Sequence, residues 1–286
     1  MNPLIAPAFT EYNILSLGAG VQSSCLALMC SQGEVTPMPN FAIFADTQDE
    51  PRSVYEWLSE LKKLCNFPIY TVTAGSLSHH ALKMRVTSDG RKYSRTNIPF
   101  FTKSAKGKVG KIVFRSCTAD FKIRPILREV KRRCKVKRGQ KHASVTQYIG
   151  ISWDEWHRCK PSREVWAQSR WPLIELKMTR QHCLDWMKAN GFKRPPRSSC
   201  VYCPFHSDSE WQRLKTEEPE AFAAAVKFER QIQKAKRNSD NFDSTPFLHR
   251  SCVPIDEVDF RSDFEKGQMD IFGQGHTYCE EGMCGV

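Results

Sequence analysis

The most specific chemical signal in the sequence is a pair of cysteines, Cys200 and Cys203, within PPRSSCVYCPFHSDSEW. Two thiolates from one tight turn can point at a single centre, so this spacing suits a metal ion or an iron–sulfur cluster. A redox disulfide is the competing interpretation. Redox pairs of the thioredoxin type begin a helix directly after a strand, whereas this pair follows Pro195-Pro196 and precedes Pro204. The surrounding residues therefore favour a metal or a cluster.

A second candidate site is the glycine- and serine-containing stretch ILSLGAGVQSSCLALM, residues 14–29. Gly18 and Gly20 stand where a buried strand ends, and Ser23 and Ser24 stand where a helix begins, so backbone N–H groups and a helix dipole would converge there. Such a point stabilises an anion, and serine hydroxyls can donate to phosphate oxygens. The stretch lacks the lysine of a Walker A loop and the third glycine of a dinucleotide-binding loop. A tight turn with only a structural role is the alternative.

Two further segments place polar and charged side chains just after predicted strands. Asp46 and Thr47 follow one buried run, and in GISWDEWHR Glu155 and Arg158 are three residues apart, the spacing of neighbours on one helical turn. Arg158 suits a phosphate, whereas the carboxylates of Asp154 and Glu155 suit Mg²⁺ or a ribose. A helix cap and a surface ion pair are the ordinary alternatives for these segments.

The net charge favours a polyanionic partner. Lys and Arg outnumber Asp and Glu by 43 to 31, which gives a formal charge of +12. Between Lys122 and Lys141 there are ten Lys or Arg residues and a single acid, Glu129. This segment predicts a contact with a nucleic-acid backbone. A solvated basic surface is the alternative.

These segments lie among elements that alternate between strand and helix. Short runs rich in Ile, Val, Phe and Tyr predict four strands, at residues 13–17, 40–45, 68–73 and 145–151. Helices are predicted between the first three strands, at residues 23–30 and 53–65. The alternation predicts an α/β, Rossmann-like parallel sheet with helices on both faces.

The rest of the chain has a different character. Residues 88–115 are basic, dotted with glycine and aperiodic, as in a functional loop or lid, with a disordered linker as the alternative. Pro125 can open a helix at its first turn, and helical patterns dominate after residue 171. We therefore predict an α/β domain at residues 1–175, with the basic loop at residues 88–115, and a smaller, mainly helical, cysteine-bearing part at residues 176–286.

Composition also predicts the environment. The chain has twelve cysteines, and its N-terminus, MNPLIAPAFTEYN, lacks the basic and apolar regions of a secretory signal. We expect a reducing cytoplasm, in which clustered cysteines act as metal ligands or reactive thiols. No apolar run approaches the roughly 18 residues needed to span a bilayer, so no membrane contact is expected.

The order of these motifs resembles that of the PP-loop ATP pyrophosphatases, in the phosphoadenylylsulfate-reductase-like superfamily. GAGVQS, residues 18–23, is similar to the family's pyrophosphate loop, usually Ser-Gly-Gly-x-Asp-Ser, and the preceding Ser16 matches a variant found in the reductase-like proteins. Gly18 stands in place of the leading Ser and Ala19 in place of the first Gly. Gln22 replaces the Asp whose carboxylate would help to hold Mg²⁺.

Two more segments extend the resemblance. FADTQDEPRSVYEWL is similar to the family's second-strand Asp-Thr-Gly segment, with Gln48 in place of the Gly, and GISWDEWHR is similar to its Gly-Ile-x-x-x-Glu-x-x-Arg element. The resemblance implies the adenine nucleotide alpha hydrolase type of fold. It implies nucleotide-binding roles for Ser16, Gly18, Gly20, Gln22, Ser23, Ser24, Asp46 and Thr47, and catalytic roles for Ser23, Glu155 and Arg158.

The cysteines also have counterparts in this superfamily. RSCTADFKIRPI resembles the Cys-x-x-x-x-Lys-Val-x-Pro segment that contributes cluster cysteines in iron–sulfur adenylylsulfate reductases and in DNA-phosphorothioation ATP pyrophosphatases. The resemblance implies a cluster held by Cys117, Cys200 and Cys203, with Cys252 as the fourth ligand. Cys279 and Cys284 are alternatives, and with the CxxC pair they could instead form a structural zinc site.

The function implied by the resemblance is an ATP pyrophosphatase that adenylylates a substrate for sulfur transfer, most similar to the DNA-phosphorothioation branch. The implied cofactors are ATP, Mg²⁺ and a [4Fe-4S] cluster, with zinc as the fallback. The basic segment favours DNA or RNA as the substrate, with a cysteine desulfurase or another sulfur-donor protein as partner. One alternative is an adenylylsulfate or phosphoadenylylsulfate reductase, whose C-terminal Glu-Cys-Gly-Leu-His is matched only loosely by CEEGMCGV. Another is a non-catalytic module that binds nucleotide and nucleic acid.

Overall fold

The hydrophobic runs predicted as strands form the centre of the structure. The computed structural model describes residues 10–95, 97–111, 116–240 and 242–261. The strands in this part of the chain are β1 (Tyr12–Leu17), β2 (Phe41–Asp46), β3 (Ile69–Thr73), β4 (Met84–Val86), β5 (Lys92–Ser94), β6 (Phe101–Ser104), β7 (Val109–Lys111), β8 (Val145–Ile149), β9 (Ala167–Arg170) and β10 (Ser244–Phe247).

Helices connect and cover these strands. They are α1 (Val21–Gln32), α2 (Arg52–Leu64), α3 (Leu77–Leu82), α4 (Arg124–Arg133), α5 (Pro172–Glu175), α6 (Arg180–Ala189), α7 (Asp208–Glu217) and α8 (Pro219–Arg237). A π-helix, Thr118–Ile123, runs directly into α4, and short 3₁₀ helices span Trp153–Arg158 and Ile255–Glu257.

The main sheet has five parallel strands in the order β3-β2-β1-β8-β9. The chain builds outward from β1 through β2 and β3, and then returns to the other side of β1 with β8. In open α/β sheets, ligands bind beyond the carboxyl ends of the strands at such a reversal of strand order. The residues that follow β1, β2 and β8 therefore define the expected position of a ligand site.

Alternate residues of the strands face opposite layers of helices. Leu15 and Leu17 of β1 pack with α1, α2 and α6, whereas Ile14 of the same strand packs with Ile126 and Val130 of α4. This two-residue periodicity explains why the strands are apolar along their whole length, since both faces are buried. The predicted α/β fold, with a parallel sheet and helices on both faces, is confirmed.

A second hydrophobic core lies outside the main sheet. It joins α3, Ile98, Phe100 and Phe121 to α7 and α8, with Trp211 and Phe228 among its buried side chains. Its antiparallel strands, in the order β10-β6-β7, include part of the segment that the sequence predicts to be irregular. These strands are only three or four residues long, too short for a clear alternation of apolar and polar residues.

Helix α6 packs against α1 at the main sheet. Its buried Cys183 and Met187 belong to the same cluster as Leu26 and Met29 of α1. The predicted boundary at residue 175 thus precedes a helix that contributes to the first core, and the division into two parts remains a prediction.

The helix predicted to begin at Pro125 is present, and the preceding residues are helical as well. Pro125 lies in the first turn of α4, and the N–H of Arg124 donates to the carbonyl of Ala119, five residues earlier. The π-helix therefore leads without a break into α4, whose first turn accommodates a proline that has no N–H to donate.

The helices of the described part are too short or too polar to cross a membrane.

Candidate nucleotide and cysteine site

The loop after β1 surrounds the N-terminus of α1. The backbone N–H of Gly18 donates to Oγ of Ser23 (3.2 Å), and the Ser23 hydroxyl donates to the carbonyl of Gly20 (3.3 Å). The first intrahelical bond runs from Ser24 to Gly20 (2.9 Å). The amides at positions 21–23 therefore precede the hydrogen-bonded ladder, which is the arrangement that stabilises an anion at a helix start.

Two serines of the predicted set face the protein interior. Ser24 is fully buried, and its hydroxyl accepts a hydrogen bond from Nε1 of Trp57 (2.9 Å). Ser16 is also buried, and its hydroxyl accepts from the side-chain amide of Gln147 on β8. Of the predicted serines, only Ser23 has its hydroxyl within the loop.

Gln22 connects the loop to two charged side chains. Its amide nitrogen lies 3.5 Å from Oε2 of Glu155 and 3.5 Å from Oγ of Ser152, and its amide oxygen accepts from Nη1 of Arg180 (3.2 Å). Glu155 is buried and forms an ion pair with Arg158. The structure therefore brings together three of the predicted residues, Gln22, Glu155 and Arg158, with Arg180 added.

Gly150, at the end of β8, sets the distance between β8 and the loop. A methyl group at this position would lie 2.8 Å from Cα and 2.9 Å from the backbone nitrogen of Ser23. Contacts this short with backbone atoms cannot be relieved by moving a side chain. Glycine at position 150 is therefore required for the 3₁₀ helix that carries Glu155 to lie against the first turn of α1.

The end of β2 contacts the cysteine pair. Oγ1 of Thr47, which is buried, lies 3.2 Å from Sγ of Cys200, and the N–H of Val201 donates to the carbonyl of Asp49 (2.9 Å). Asp46 accepts from the hydroxyl of Tyr55 (2.8 Å). Burial, together with this carboxylate, raises the pKa of Tyr55 well above its usual value. Tyr55 therefore stays protonated and remains a donor to Asp46.

Two of the predicted cluster cysteines share one turn, and a third contacts the same hydrophobic core. Cys200 and Cys203 share a turn closed by the N–H of Cys203 and the carbonyl of Cys200 (2.9 Å). Cys117, at the start of the π-helix, packs against the same second core as Cys200. Its N–H donates to the carbonyl of the buried Asn97 (2.9 Å).

Cys252 has a different environment. Its thiol donates to the carbonyl of Thr102 on β6 (3.6 Å), and burial raises its pKa. The neighbouring chain is fixed by buried Glu229, whose carboxylate accepts from the N–H groups of Leu248 and Ile255 (both 2.8 Å). In the part of the chain that the structure describes, no three His, Cys, Asp or Glu side chains are arranged to hold a metal ion. The alternative ligands Cys279 and Cys284 lie outside the described residues.

An open cleft of about 1240 Å³ is lined by Trp57, Asp154 and Arg180, together with residues 193–197. Trp57 and Arg180 bond Ser24 and Gln22, so the cleft lies close to the first turn of α1. A methyl group on Gly20 of the loop would lie 3.6 Å from Cβ of Ser198, so the chain leading to the cysteine pair passes directly beside the loop.

Sequence reasoning missed Arg180 and Asn97. Arg180 is separated from Gln22 by 158 residues and belongs to no motif, so only the packing of α6 on α1 reveals it. Asn97 lies in the segment predicted to be irregular, and its side chain bonds Ser116, Asp120 and His80. No local pattern in the sequence marks either residue.

Comparison with known proteins gives limited results. No family model and no curated protein matches the chain. A solved structure, that of the U34-tRNA thiolase NcsA from Methanococcus maripaludis with its [4Fe-4S] cluster, matches with 14% identity and a TM-score of 0.38. The match covers 78% of this chain and 73% of that one. The functional argument therefore rests on the site itself.

The close approach at Gly150 can be tested by Gly150→Ala. Because the added methyl group meets backbone atoms of Ser23, we expect the free energy of unfolding to fall by about 1–3 kcal/mol, measured by urea denaturation. Gly18→Ala is the matched control, since its methyl group would lie 3.6 Å from Oγ of Ser23, an ordinary contact. Equal losses in the two variants would contradict a specific contact at position 150.

Proposed function

We propose that the protein is an ATP pyrophosphatase that adenylylates a nucleic acid for sulfur transfer, as in DNA phosphorothioation or RNA thiolation. The observation that carries the proposal is the contact between Thr47 and Cys200, with 3.2 Å between Oγ1 and Sγ. It brings the cysteine turn to the edge of the sheet where the glycine loop begins α1. A nucleotide site and a sulfur-handling site would then share one crevice, which is the arrangement that coupled activation and sulfur transfer require.

In this proposal the loop binds the terminal phosphates of ATP. The amides at positions 21–23 would donate to phosphate oxygens, and the Ser23 hydroxyl would rotate from the Gly20 carbonyl to do the same. The helix dipole of α1 adds a favourable field. Asp46 and Thr47, at the end of the neighbouring strand, would border the nucleoside. Because Ser16 and Ser24 bond interior partners, we expect them to support the loop rather than contact phosphate.

The reaction we propose has two displacements. An oxygen of the substrate attacks the α-phosphorus of ATP, a new P–O bond forms, and the bond to the bridging oxygen of pyrophosphate breaks. The terminal sulfur of a persulfide, delivered by a cysteine desulfurase or another donor protein, then attacks the adenylylated position and displaces AMP. A thiol reductant cleaves the resulting S–S bond, which leaves the sulfur on the substrate and the donor cysteine in a disulfide with the reductant. Arg158 would stabilise the negative charge that develops on the phosphate oxygens in the transition state, which would lower the barrier to reaction.

Mg²⁺ fits the carboxylate of Glu155 better than it fits position 22. Glu155 contacts the loop through Gln22, whereas the amide of Gln22 supplies no negative charge. When bound, Mg²⁺ would neutralise charge on the phosphates. Glu155 would hold it there and would also keep Arg158 oriented through their ion pair.

We propose that the cysteine turn and Cys117 contribute ligands to an iron–sulfur cluster or to zinc. Cys200 and Cys117 contact the same hydrophobic core, and the hydroxyl of Thr47 can donate to Sγ of Cys200, which stabilises a thiolate. We propose Cys252 as the fourth ligand, although its thiol bonds the Thr102 carbonyl. A [4Fe-4S] cluster at this position would supply redox-active iron beside the nucleotide.

The basic segment after the π-helix is our proposed contact with nucleic acid. Half of its cations are neutralised by protein carboxylates. Those that form no ion pair within the described residues and are exposed are Arg128, Lys135, Lys137, Arg138 and Lys141. Unpaired surface cations of this kind bind a phosphate backbone by releasing its counterions. We also propose a reducing cytoplasmic environment, in which cysteines are available as metal ligands.

One observation favours the alternative of a non-catalytic nucleotide-binding module. Gln22 already bonds both Glu155 and Arg180, which leaves the loop without a carboxylate of its own for Mg²⁺. Such a module would bind ATP without releasing pyrophosphate.

The Ser23→Ala variant distinguishes a catalytic ATP pyrophosphatase from a module that only binds nucleotide. We expect it to lower pyrophosphate release from ATP by roughly 10- to 100-fold, because a hydrogen bond to a charged phosphate is lost, measured with nucleic acid and a sulfur donor present. Ser24→Ala is the matched control, since its hydroxyl serves Trp57. It should lower stability but retain pyrophosphate release. Absence of release from the wild-type protein under all these conditions would favour the module.

Anaerobic reconstitution with iron and sulfide tests the cysteine ligands. The wild-type protein should be brown and hold about four iron atoms per chain, and Cys117→Ser, Cys200→Ser and Cys203→Ser should each lose most of the iron and of the visible absorption. Cys65→Ser, a partly exposed cysteine outside the site, should retain both. Cys252→Ser decides the fourth ligand. A colourless protein with stoichiometric zinc would contradict the cluster.

Mass spectrometry of nucleosides tests the substrate. DNA and RNA from cells with and without the gene should differ by one sulfur-containing nucleotide, and the wild-type gene, but not Ser23→Ala, should restore it. An unchanged set of nucleotides in both DNA and RNA would contradict nucleic-acid modification. Sulfite production from adenylylsulfate with a thiol reductant would instead favour a sulfonucleotide reductase.

A further inference from the structure

Arg180 is the first residue of α6 and lies beside the second residue of α1. Its Nη1 donates to Oε1 of Gln22 (3.2 Å), and its backbone N–H donates to Oδ1 of Asp154 (3.1 Å). The side chain is half-buried and lines the cleft next to the loop. Two helix N-termini therefore meet at this guanidinium group.

This position is electrostatically unfavourable for a cation. The N-terminal end of a helix carries a partial positive charge, so a guanidinium group there is repelled by both α1 and α6. Asp154 caps the backbone of α6, and Glu155 is paired with Arg158. Within the described residues, the Arg180 side chain forms no ion pair with a carboxylate, and its one hydrogen bond leaves most of its five N–H donors available. An anion bound between the two helix N-termini would offset the repulsion.

Gln22 explains how Arg180 is held in this place. The two ends of its amide serve opposite charges, with the nitrogen directed at the Glu155 carboxylate and the oxygen at the Arg180 guanidinium. A carboxylate at position 22 would be repelled by Glu155. The neutral amide is therefore the side chain that can bridge the two groups.

We propose that Arg180 binds the β- and γ-phosphates of the nucleotide, and the pyrophosphate that leaves, and that Gln22 is its positioning residue. The inference rests on the proposed function, since it assigns a ligand to the same loop. It also gives Gln22 a role. The family that the sequence resembles has an aspartate at this position, which helps to hold Mg²⁺, whereas this chain has an amide that orients the guanidinium group of Arg180. Planar bidentate recognition of phosphate is the chemistry to which arginine is best suited.

Binding measurements with ATP, inorganic pyrophosphate and AMP in excess Mg²⁺ test the inference. Arg180→Ala should weaken ATP and pyrophosphate binding by roughly 10- to 100-fold, the effect of losing charge-assisted hydrogen bonds, while AMP binding stays unchanged because AMP lacks the β- and γ-phosphates. Arg180→Lys should recover part of the loss, since it restores the charge without the fork. Gln22→Ala should show the same selective pattern with a smaller magnitude. Arg237→Ala, an exposed arginine at the end of α8, is the charge-matched control and should bind all three ligands normally.

The outcomes separate the inference from the function beneath it. A wild-type protein that binds neither ATP nor pyrophosphate would overturn the proposed function and the inference together. Normal ATP binding by Arg180→Ala would overturn the inference alone. Equal weakening of ATP and AMP binding in the folded Arg180→Ala and Arg180→Lys variants would also overturn it, because that pattern indicates a structural role.

Discussion

The end of β8 and the first turn of α1 approach so closely that only glycine fits at position 150, and the candidate site depends on this contact. Because backbone meets backbone there, the loop after β1 and the 3₁₀ helix after β8 keep a fixed distance. That distance sets Glu155 near the amide of Gln22, and Gln22 in turn reaches Arg180. The positions of the charged side chains at the site therefore depend on a steric contact between uncharged backbone atoms.

A second set of contacts attaches the cysteine-bearing core to the sheet. The bonds from Thr47 to Cys200 and from Val201 to Asp49 lie at the carboxyl end of β2, and Ser53 donates to Glu218 at the junction of α7 and α8 (2.9 Å). All three sheet contacts come from the short stretch that follows β2. That stretch therefore fixes the position of the second core relative to the edge of the sheet.

The sequence was sufficient to predict the parts of the fold that repeat a local pattern. The strands ending near Leu17, Asp46 and Ile149 have buried apolar residues on both faces, and the glycine loop follows from residues that tolerate a tight turn between a strand and a helix. The contacts between distant residues could not be predicted. Nothing local distinguishes Ser24, which bonds the core, from Ser23, which bonds the loop, because helix rotation relative to Trp57 decides between them.

The second core is assembled from two stretches that are far apart in the chain. Residues 77–121 leave the sheet after β3, and their partners in α7 and α8 follow only after β8, β9 and α6 have been completed. Bringing such distant segments together carries a loop-closure entropy and slows folding. During synthesis, Cys117 is therefore made well before Cys200 and Cys203, with β8, β9 and α6 between them. A metal centre at these three thiols would form only after those elements have been synthesised.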